Sequence, residues 1–413
     1  MTLRSLTAAI AVLLAQAPFC AAALAQNDPS LDAVLGSLRE AERESVDELI
    51  AIGSIVSPSG QERQRAAKVA ELMREAGLSD VEMTAEANVI GRIAGAEAGK
   101  ALVFVATLDD LATVAEHQAA SGKPLVMQDD RVLGPGSNTS LATAAMLAAA
   151  DALVASGFRP RHDIIFAAVV QEETGLIGMR RLYEQLGDRA AAYVDILGDG
   201  TDIAYGALGI HWWRVDATGP AGHTLNGGLP NVNRGIAQAV SRIFDLAGRT
   251  DPMLMTRLNI AILNSGKVFN HKPESGWFSI DIRSLDAERI AGLEAAVDDI
   301  LAEVARDTGT TLTRSAVSLV PGGQIEGARE GPLVTIAARA ARSEGRPAEL
   351  TDAGSANLNI AIAAGTPAIG LGGERGGGRG TPQEWASVPT LHRTARVVAR
   401  LALEYDGATA VQR

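Results

Sequence analysis

Two kinds of apolar pattern alternate along most of the chain. In one kind, apolar residues recur at helical spacing, which predicts helices over 31–54, 62–76 and 141–156. In the other, short apolar and β-branched runs are bounded by Gly, Asp and Pro, which predicts buried strands over 101–108, 163–171 and 191–198. The order strand, helix, strand is typical of an α/β domain whose sheet is mostly parallel.

The pattern changes after Gly209. The runs 211–219 and 277–284 alternate large apolar with polar residues, as half-exposed antiparallel strands do, and helices are predicted over 233–247 and 287–307. The α/β pattern then returns, with a helix over 333–343, a strand over 366–371 and a helix over 391–405. We therefore predict a discontinuous α/β domain, 26–207 and 318–413, interrupted by a small α+β domain at 208–317.

The first 25 residues have the pattern of a secretory signal. Arg4 precedes an apolar run over 6–14, and Ala23-Leu24-Ala25 supplies a small-x-small cleavage site. The run is shorter than the ~20 apolar residues that a membrane span needs. We expect cleavage near Ala25, no membrane span, and a secreted or periplasmic protein. The only cysteine, Cys20, would be removed with the signal.

Charge and composition exclude other classes of protein. With 49 acidic and 37 basic residues the net charge is −12, which leaves no basic stripe for a nucleic-acid backbone. Aromatic residues make up only 4% of the chain and glycines number 43, so the core must consist of closely packed small aliphatic side chains. A serine hydrolase is not supported either, because the chain has no Gly-x-Ser-x-Gly motif.

Acidic residues follow two of the predicted strands. Glu172 and Glu173 stand in Val170-Gln-Glu-Glu-Thr-Gly-Leu-Ile-Gly178, and Asp199 stands in Gly198-Asp-Gly-Thr201. In these motifs the chain resembles the dizinc exopeptidase family that includes glutamate carboxypeptidase, acetylornithine deacetylase and tripeptidase T. The resemblance covers nearly the whole mature chain. It implies a catalytic α/β domain with an inserted dimerisation lid, Glu172 as general base, and Glu173 and Asp199 as metal ligands.

The predicted lid carries three more residues that match the family. Gly219-Pro-Ala-Gly-His-Thr224 resembles a loop whose histidine, here His223, reaches the partner subunit's active site and stabilises an oxyanion. Asn270 and Arg283 match the residues that bind the substrate carboxylate, a task that suits the planar guanidinium. The resemblance therefore implies a homodimer that binds a small peptide or an N-acyl amino acid.

Three expected metal ligands are replaced. Thr107 stands where the family has a histidine, although its orienting partner Asp109 is present; Thr139 stands near the expected bridging aspartate; and Gly380 replaces the last histidine. Zinc needs ~3–4 protein or water ligands, and each implied site keeps one of its three protein ligands. We expect no firmly bound cofactor. Zinc or another divalent cation is expected only if the site is functional. A remnant of Glu172, Glu173, Asp199 and Asp109 offers oxygen ligands for Mg²⁺ or Ca²⁺.

Two functions remain open. The first is a protein that binds a peptide or an acylated amino acid without cutting it. The second is an active metal-dependent hydrolase with a rearranged site and Glu172 as general base. The glycine-rich segment 372–380 bears on the choice, because we expect a flexible loop in which Arg379, or in second place Arg375, points toward Glu173 and Asp199 and replaces the zinc charge. The alternative is that both arginines are solvated.

Overall fold

The computed structural model describes residues 30–228, 230–246 and 251–411. The predicted signal at 1–25, with Cys20, lies outside the described residues, as does Ala247. The helices are α1 (Leu31–Glu40), α2 (Glu42–Gly53), α3 (Arg63–Glu75), α4 (Ala112–Ser121), α5 (Ser137–Ala155), α6 (Ile177–Leu186), α7 (Val232–Phe244), α8 (Ala287–Thr308), α9 (Pro332–Ser343), α10 (Leu358–Ala363) and α11 (Val388–Val411). The strands are β1 (Ser79–Met83), β2 (Val89–Ile93), β3 (Ala101–Thr107), β4 (Val126–Gln128), β5 (Arg131–Leu133), β6 (Ile164–Val169), β7 (Ala190–Ile196), β8 (Asp202–Ala204), β9 (Gly209–Thr218), β10 (Gly222–His223), β11 (Arg257–Asn259), β12 (Leu263–Ser265), β13 (His271–Lys272), β14 (Ser275–Ser284), β15 (Thr311–Val320), β16 (Glu349–Thr351), β17 (Ala368–Gly372), β18 (Gly376–Gly377) and β19 (Trp385–Ser387).

The largest sheet has eight strands in the order β1-β2-β6-β3-β7-β17-β8-β16. Its centre, β6-β3-β7-β17, is parallel, whereas β1, β2 and β8 pair antiparallel to their neighbours nearer the centre. All seven residues of β3 are buried, as expected for a strand covered on both faces. The predicted α/β class with a mostly parallel sheet is confirmed.

Helices cover both faces of this sheet. One face is covered by a core to which α1, α2, α5, α9 and α11 contribute, and the other by α6 and α10. The helix predicted over 31–54 is two helices, because the chain turns at Ala41. Within the described residues one helix, α5, is long and apolar enough to cross a membrane, but most of it is buried in this core. A buried core helix has the same composition.

The inserted region has a core of its own. Strands β9, β11, β12, β14 and β15 form one antiparallel sheet, and α7 and α8 cover one face of it. Phe278, Ile280 and Ile282 on β14 alternate toward these helices, which is the period-2 pattern of a half-exposed strand. The predicted α+β class of the insertion is confirmed. Its bounds at 208 and 317 stay predictions, and β15 continues to Val320.

The parallel strands place the acidic residues at one edge of the large sheet. In register, Thr107 of β3 is paired with Val169 of β6, and Val105 with Asp195 of β7. The carboxyl ends of these strands therefore meet, and the loops that follow them lie side by side. A separate sheet of four short strands, β18-β19-β5-β4, carries the glycine-rich segment; the sequence analysis did not predict this sheet.

Candidate functional site

Asp109 fixes the turn that carries the two glutamates. Its Oδ1 accepts a hydrogen bond from the backbone N–H of Glu172 (2.8 Å), and its Oδ2 accepts one from that of Glu173 (3.1 Å). The hydroxyl of Ser59 donates a third, at 2.5 Å. Burial raises the pKa of Asp109, while these three donors act in the opposite direction. Asp109 therefore positions the turn.

Asp195 is a site residue that the sequence analysis missed. It lies near the carboxyl end of β7 and is 1% exposed. Its Oδ1 accepts from Nδ2 of Asn357 at 3.2 Å, and its Oδ2 from the backbone N–H of Leu358 at 3.3 Å. Burial raises its pKa to about 6, and these donors oppose the shift. We call Asp109, Glu172, Glu173 and Asp195 the carboxylate cluster.

The structure does not place Asp199 in this cluster. Asp199 is fully buried beyond the end of β7, where its Oδ2 lies 3.1 Å from Nε of Arg346 and 3.3 Å from Nε of Arg393. Its Oδ1 accepts from the hydroxyl of Thr201 at 2.7 Å. The expectation that Asp199 lies beside Glu173, as a metal ligand, is therefore corrected, and the oxygen-only set that included Asp199 is not assembled.

Glu172 and Glu173 differ in their partners. Oε1 of Glu173 lies 2.5 Å from Nη2 of Arg379, and burial raises its pKa against the lowering effect of Arg379. Glu172 makes no such pair with any described residue. Its pKa is raised to about 8, first by burial and then by the charges of Glu173, Asp195 and Asp109. This shift favours the protonated form of Glu172, which can donate a hydrogen bond.

The glycine-rich segment is held by hydrogen bonds, contrary to the flexible loop expected. Strand β18 pairs with β19, and the carbonyl of Arg375 accepts from the backbone N–H of Ser387 at 2.9 Å. At Gly376, φ is 152° and an added Cβ would overlap the carbonyl oxygen of Trp385. The glycines permit close backbone contact here, which fixes the segment that carries the two arginines.

Glu384 ties this segment to helix α5. Its Oε1 accepts from the backbone N–H groups of Gly136 (3.0 Å) and Asn138 (3.1 Å), and its Oε2 accepts from that of Gly380 (3.2 Å). It is 1% exposed, and burial raises its pKa. A carboxylate at a helix N-terminus is favourable. The sequence analysis did not single out Glu384, so this positioning role was missed.

The three positions at which the sequence analysis expects replaced ligands offer little to a metal. The hydroxyl of Thr107 accepts from Nδ2 of Asn357 at 3.2 Å. Thr139 lies in the first turn of α5, where its hydroxyl is buried without a hydrogen-bond partner among the described residues. Gly380 contributes only its backbone, which binds Glu384.

The lid brings two of its predicted residues together. Strands β10 and β13 pair His223 with His271, and the Asn270 amide nitrogen lies 3.2 Å from Nε2 of His223. Nδ1 of His223 accepts from the backbone N–H of Leu225 at 3.1 Å. Asn270 is exposed. His223 and Asn270 thus form a small polar pair at the tip of the lid.

Arg283 is not part of this pair. It lies near the carboxyl end of β14, where it is paired with Ile210 of β9. The segment that carries Asn270 leads into the other end of the same strand, at Ser275. Arg283 and Ser275 are eight residue steps apart along the strand, or roughly 26 Å. Its Nε and Nη2 each lie 3.0 Å from an oxygen of Asp281. Within one chain, Arg283 is therefore remote from His223 and already paired.

Comparison with known families accounts for this arrangement. Residues 110–404 match the profile of Peptidase family M20/M25/M40. The chain belongs to this family. The match includes Glu172, Glu173, Asp195, His223 and Asn270 and begins one residue after Asp109. A search of curated protein sequences found no match.

Solved structures of the family share the fold. The aminopeptidase PepT of Bacillus cereus is 19% identical with a TM-score of 0.73, over 88% of this chain and 98% of that one. A tripeptidase of Staphylococcus aureus is 21% identical with a TM-score of 0.74, over 89% and 99%. Human carnosine dipeptidase 1 is 16% identical with a TM-score of 0.65, over 91% and 100%. At these identities the likeness establishes the fold.

The side chains of the site do not fit a pair of zinc ions. Among the described residues, no group of three His, Cys, Asp or Glu side chains is arranged to hold a metal ion. Glu173 is paired with Arg379, and Asp195 is bound by Asn357 and Leu358. The donor set that a dizinc centre needs is therefore not assembled among these residues.

Proposed function

We propose that this protein binds a small peptide or an N-acyl amino acid at the carboxylate cluster without dizinc hydrolysis. The observation that carries the proposal is the contact of 2.5 Å between Arg379 and Glu173. A permanent positive charge there keeps Glu173 neutralised and competes with any divalent cation. The family fold supports a peptide-related ligand, since its members are peptidases.

An active hydrolase is the second candidate, and one observation favours it. Asp109 still holds the backbone of Glu172 and Glu173, so the turn that presents a general base is intact. The raised pKa of Glu172 would also make it a stronger base once deprotonated. In this candidate, added metal must displace Arg379 from Glu173.

Calorimetric titration and a hydrolysis assay separate the two. Dipeptides and N-acetyl amino acids are titrated into the protein, and product formation is followed with and without added zinc, cobalt or manganese. We expect saturable binding and no turnover in either condition. Turnover that needs metal and is abolished by Glu172→Gln would overturn the proposal in favour of the hydrolase.

Export and dimerisation complete the proposed function. Export rests on the signal pattern of residues 1–25, and a mature N-terminus other than one near Gln26 would contradict it. A homodimer through the 208–317 insertion would give His223 and Asn270 a site to complete. The neighbours Leu225 and Phe269 are 89% and 110% exposed, which leaves apolar surface for a partner to cover. A monomer in sedimentation at micromolar concentration would contradict the dimer.

A further inference from the structure

Two arginines, rather than one, compensate the buried charge of Asp199. Its Oδ1 accepts from the backbone N–H and the hydroxyl of Thr201 at 3.2 and 2.7 Å. Its Oδ2 lies 3.1 Å from Nε of Arg346 and 3.3 Å from Nε of Arg393. A carboxylate carries one negative charge, so one of the two positive charges is left over. We call Asp199, Arg346 and Arg393 the two-arginine site.

The outer nitrogens of the two arginines have donors to spare. Nε of Arg346 donates to the hydroxyl of Thr201 at 2.8 Å, but neither of its Nη nitrogens donates to a described residue. Arg393 donates through Nε to Asp199 and through Nη2 to the hydroxyl of Thr390, which leaves its Nη1 without an acceptor among the described residues. Both guanidiniums lie against the same carboxylate oxygen, so these spare donors are neighbours.

The two-arginine site is recessed but open to solvent. The side chains of Arg346 and Arg393 are 29% and 22% exposed, whereas Asp199 beneath them is 0% exposed. Arg393 projects from α11, and Arg346 follows the end of α9, where Glu344 is paired with α11. The spare donors therefore lie between two packed helices, where a small ion can reach them more easily than a flat surface can.

The neighbouring ion pairs do not offset the surplus charge. Glu344 accepts from Nε of Arg396 at 2.6 Å and from Nε of Arg400 at 2.9 Å, so it too is shared by two arginines. Glu42 adds one more carboxylate, 3.9 Å from Nη1 of Arg396. Positive charge thus accumulates between α9 and α11 in a chain whose net charge is −12. Such a local concentration of positive charge attracts anions.

We propose that Arg346 and Arg393 bind a small phosphate-bearing anion. Two guanidiniums can direct N–H groups at separate oxygens of one phosphate, and a dianion gains more from the surplus charge than a monoanion does. The two-arginine site is separate from the carboxylate cluster. Asp195 is held by Asn357 and Leu358 at the start of α10, which covers the other face of the sheet. The inference therefore goes beyond the proposed function and does not depend on it.

Calorimetric titration with inorganic phosphate at constant ionic strength tests the proposal. The wild type is compared with Arg346→Gln, Arg393→Gln and the matched control Arg342→Gln. Arg342 is exposed near the end of α9, and its side chain pairs with no described residue. We expect saturable binding by the wild type and the control. Either variant of the site should weaken it by about 10- to 100-fold, because hydrogen bonds to a charged group are lost.

A fourth variant, Asp199→Asn, should act in the opposite direction. It removes the carboxylate but keeps both arginines, so phosphate binding should tighten by about fivefold. Arginines that serve only to compensate Asp199 would not bind phosphate in the wild type. Circular dichroism checks that each variant is folded; Arg346→Gln and Arg393→Gln each keep one arginine beside Asp199.

Four results overturn the proposal. They are a wild type that shows no saturable binding of phosphate, acetate that binds as tightly as phosphate, site variants that bind phosphate as the wild type does, and a folded Asp199→Asn that does not bind it more tightly. An equal loss in Arg342→Gln also contradicts the site, because it would indicate a diffuse effect of charge.

Lipid headgroups carry the same phosphate chemistry, and vesicles of phosphatidylglycerol distinguish the two sources. Binding of free phosphate supports the small-anion site. Co-sedimentation of the wild type with the vesicles that Arg346→Gln abolishes, without binding of free phosphate, would assign the arginines to a lipid surface and overturn the proposal.

Discussion

The pairs Arg65–Asp110 and Arg379–Glu173 each join an arginine to a carboxylate, but their surroundings differ. Arg65 and Asp110 are 1% and 0% exposed and 2.6 Å apart. Arg379 and Glu173 are 37% and 22% exposed and 2.5 Å apart. The chemistry and the distance are nearly the same, so only the environment can distinguish the roles of the two pairs.

The remaining donors of each arginine show that difference. Arg65 also donates to the backbone carbonyls of Ile55 and Leu108, so its fork is saturated inside the core. Arg379 donates to no other described residue. The first pair is therefore part of the packing under the site. The second is open to solvent and can be rearranged when a ligand binds.

The largest effect is expected at the buried pair. Arg65→Ala leaves Asp110 as an unpaired charge in the core, which should lower the free energy of unfolding by about 3–5 kcal/mol. Urea denaturation at neutral pH measures this. Arg63→Ala is the matched control, because Arg63 is exposed on the same helix and, among the described residues, its side chain donates only to the carbonyl of Ala85. A loss below about 1 kcal/mol for Arg65→Ala would refute the structural role.

The second effect is a pH dependence from Glu172. Its pKa in the folded protein, about 8, lies above the ordinary value of 4.5, so the folded state holds this proton more tightly than the unfolded chain. The resulting stabilisation is complete below about pH 4.5 and is lost as the pH rises to about 8, by at most about 1.4 kcal/mol per pH unit. Glu172→Gln should flatten this part of the stability profile.

A second glutamate provides the control for that profile. Burial also raises the pKa of Glu48 to about 8, but Glu48 lies on α2, outside the carboxylate cluster. Glu48→Gln should flatten the profile in the same direction and leave ligand binding unchanged. If Glu172→Gln keeps the wild-type slope between pH 5 and 8, the elevated pKa of Glu172 is contradicted.

The smallest effect on stability is expected at the open pair. Arg379→Gln should change the free energy of unfolding by about 0–1 kcal/mol, because solvent screens a half-exposed pair. The same variant should raise the pKa of Glu172 further, since the charge of Arg379 lowers it. A stability loss above about 2 kcal/mol would place this pair with the buried one and remove the contrast between them.

The fold was predictable where periodicity is strong. The apolar runs at 101–108, 163–171 and 191–198 correspond to β3, β6 and β7, and the small residues of 141–156 lie within or next to α5. Short strands such as β4, β5 and β18 were missed, because two or three residues carry no measurable period. Their pairing depends on partners far along the chain.

The site was predictable only in part, and its two aspartates explain why. Asp195 and Asp199 are four residues apart, and the motif at 198–201 directed attention to the second. The available signal was the apolar pattern of the strand, which Asp195 interrupts. A charged side chain is rarely buried in such a strand unless it is paired. The contact of Arg379 with Glu173 was a hypothesis based on the loss of the last histidine. Whether Arg379 pairs with Glu173 or with Asp199 depends on the hairpin of β18 and β19, which the sequence did not predict.

Metal content tests the central claim most directly. The chain expressed from Gln26 and dialysed without chelator is analysed by mass spectrometry of the elements, with Arg379→Gln alongside. The account predicts less than one zinc ion per chain in the wild type, because Arg379 holds Glu173 and the donors around it are engaged within the protein. Two tightly held zinc ions per chain would contradict it.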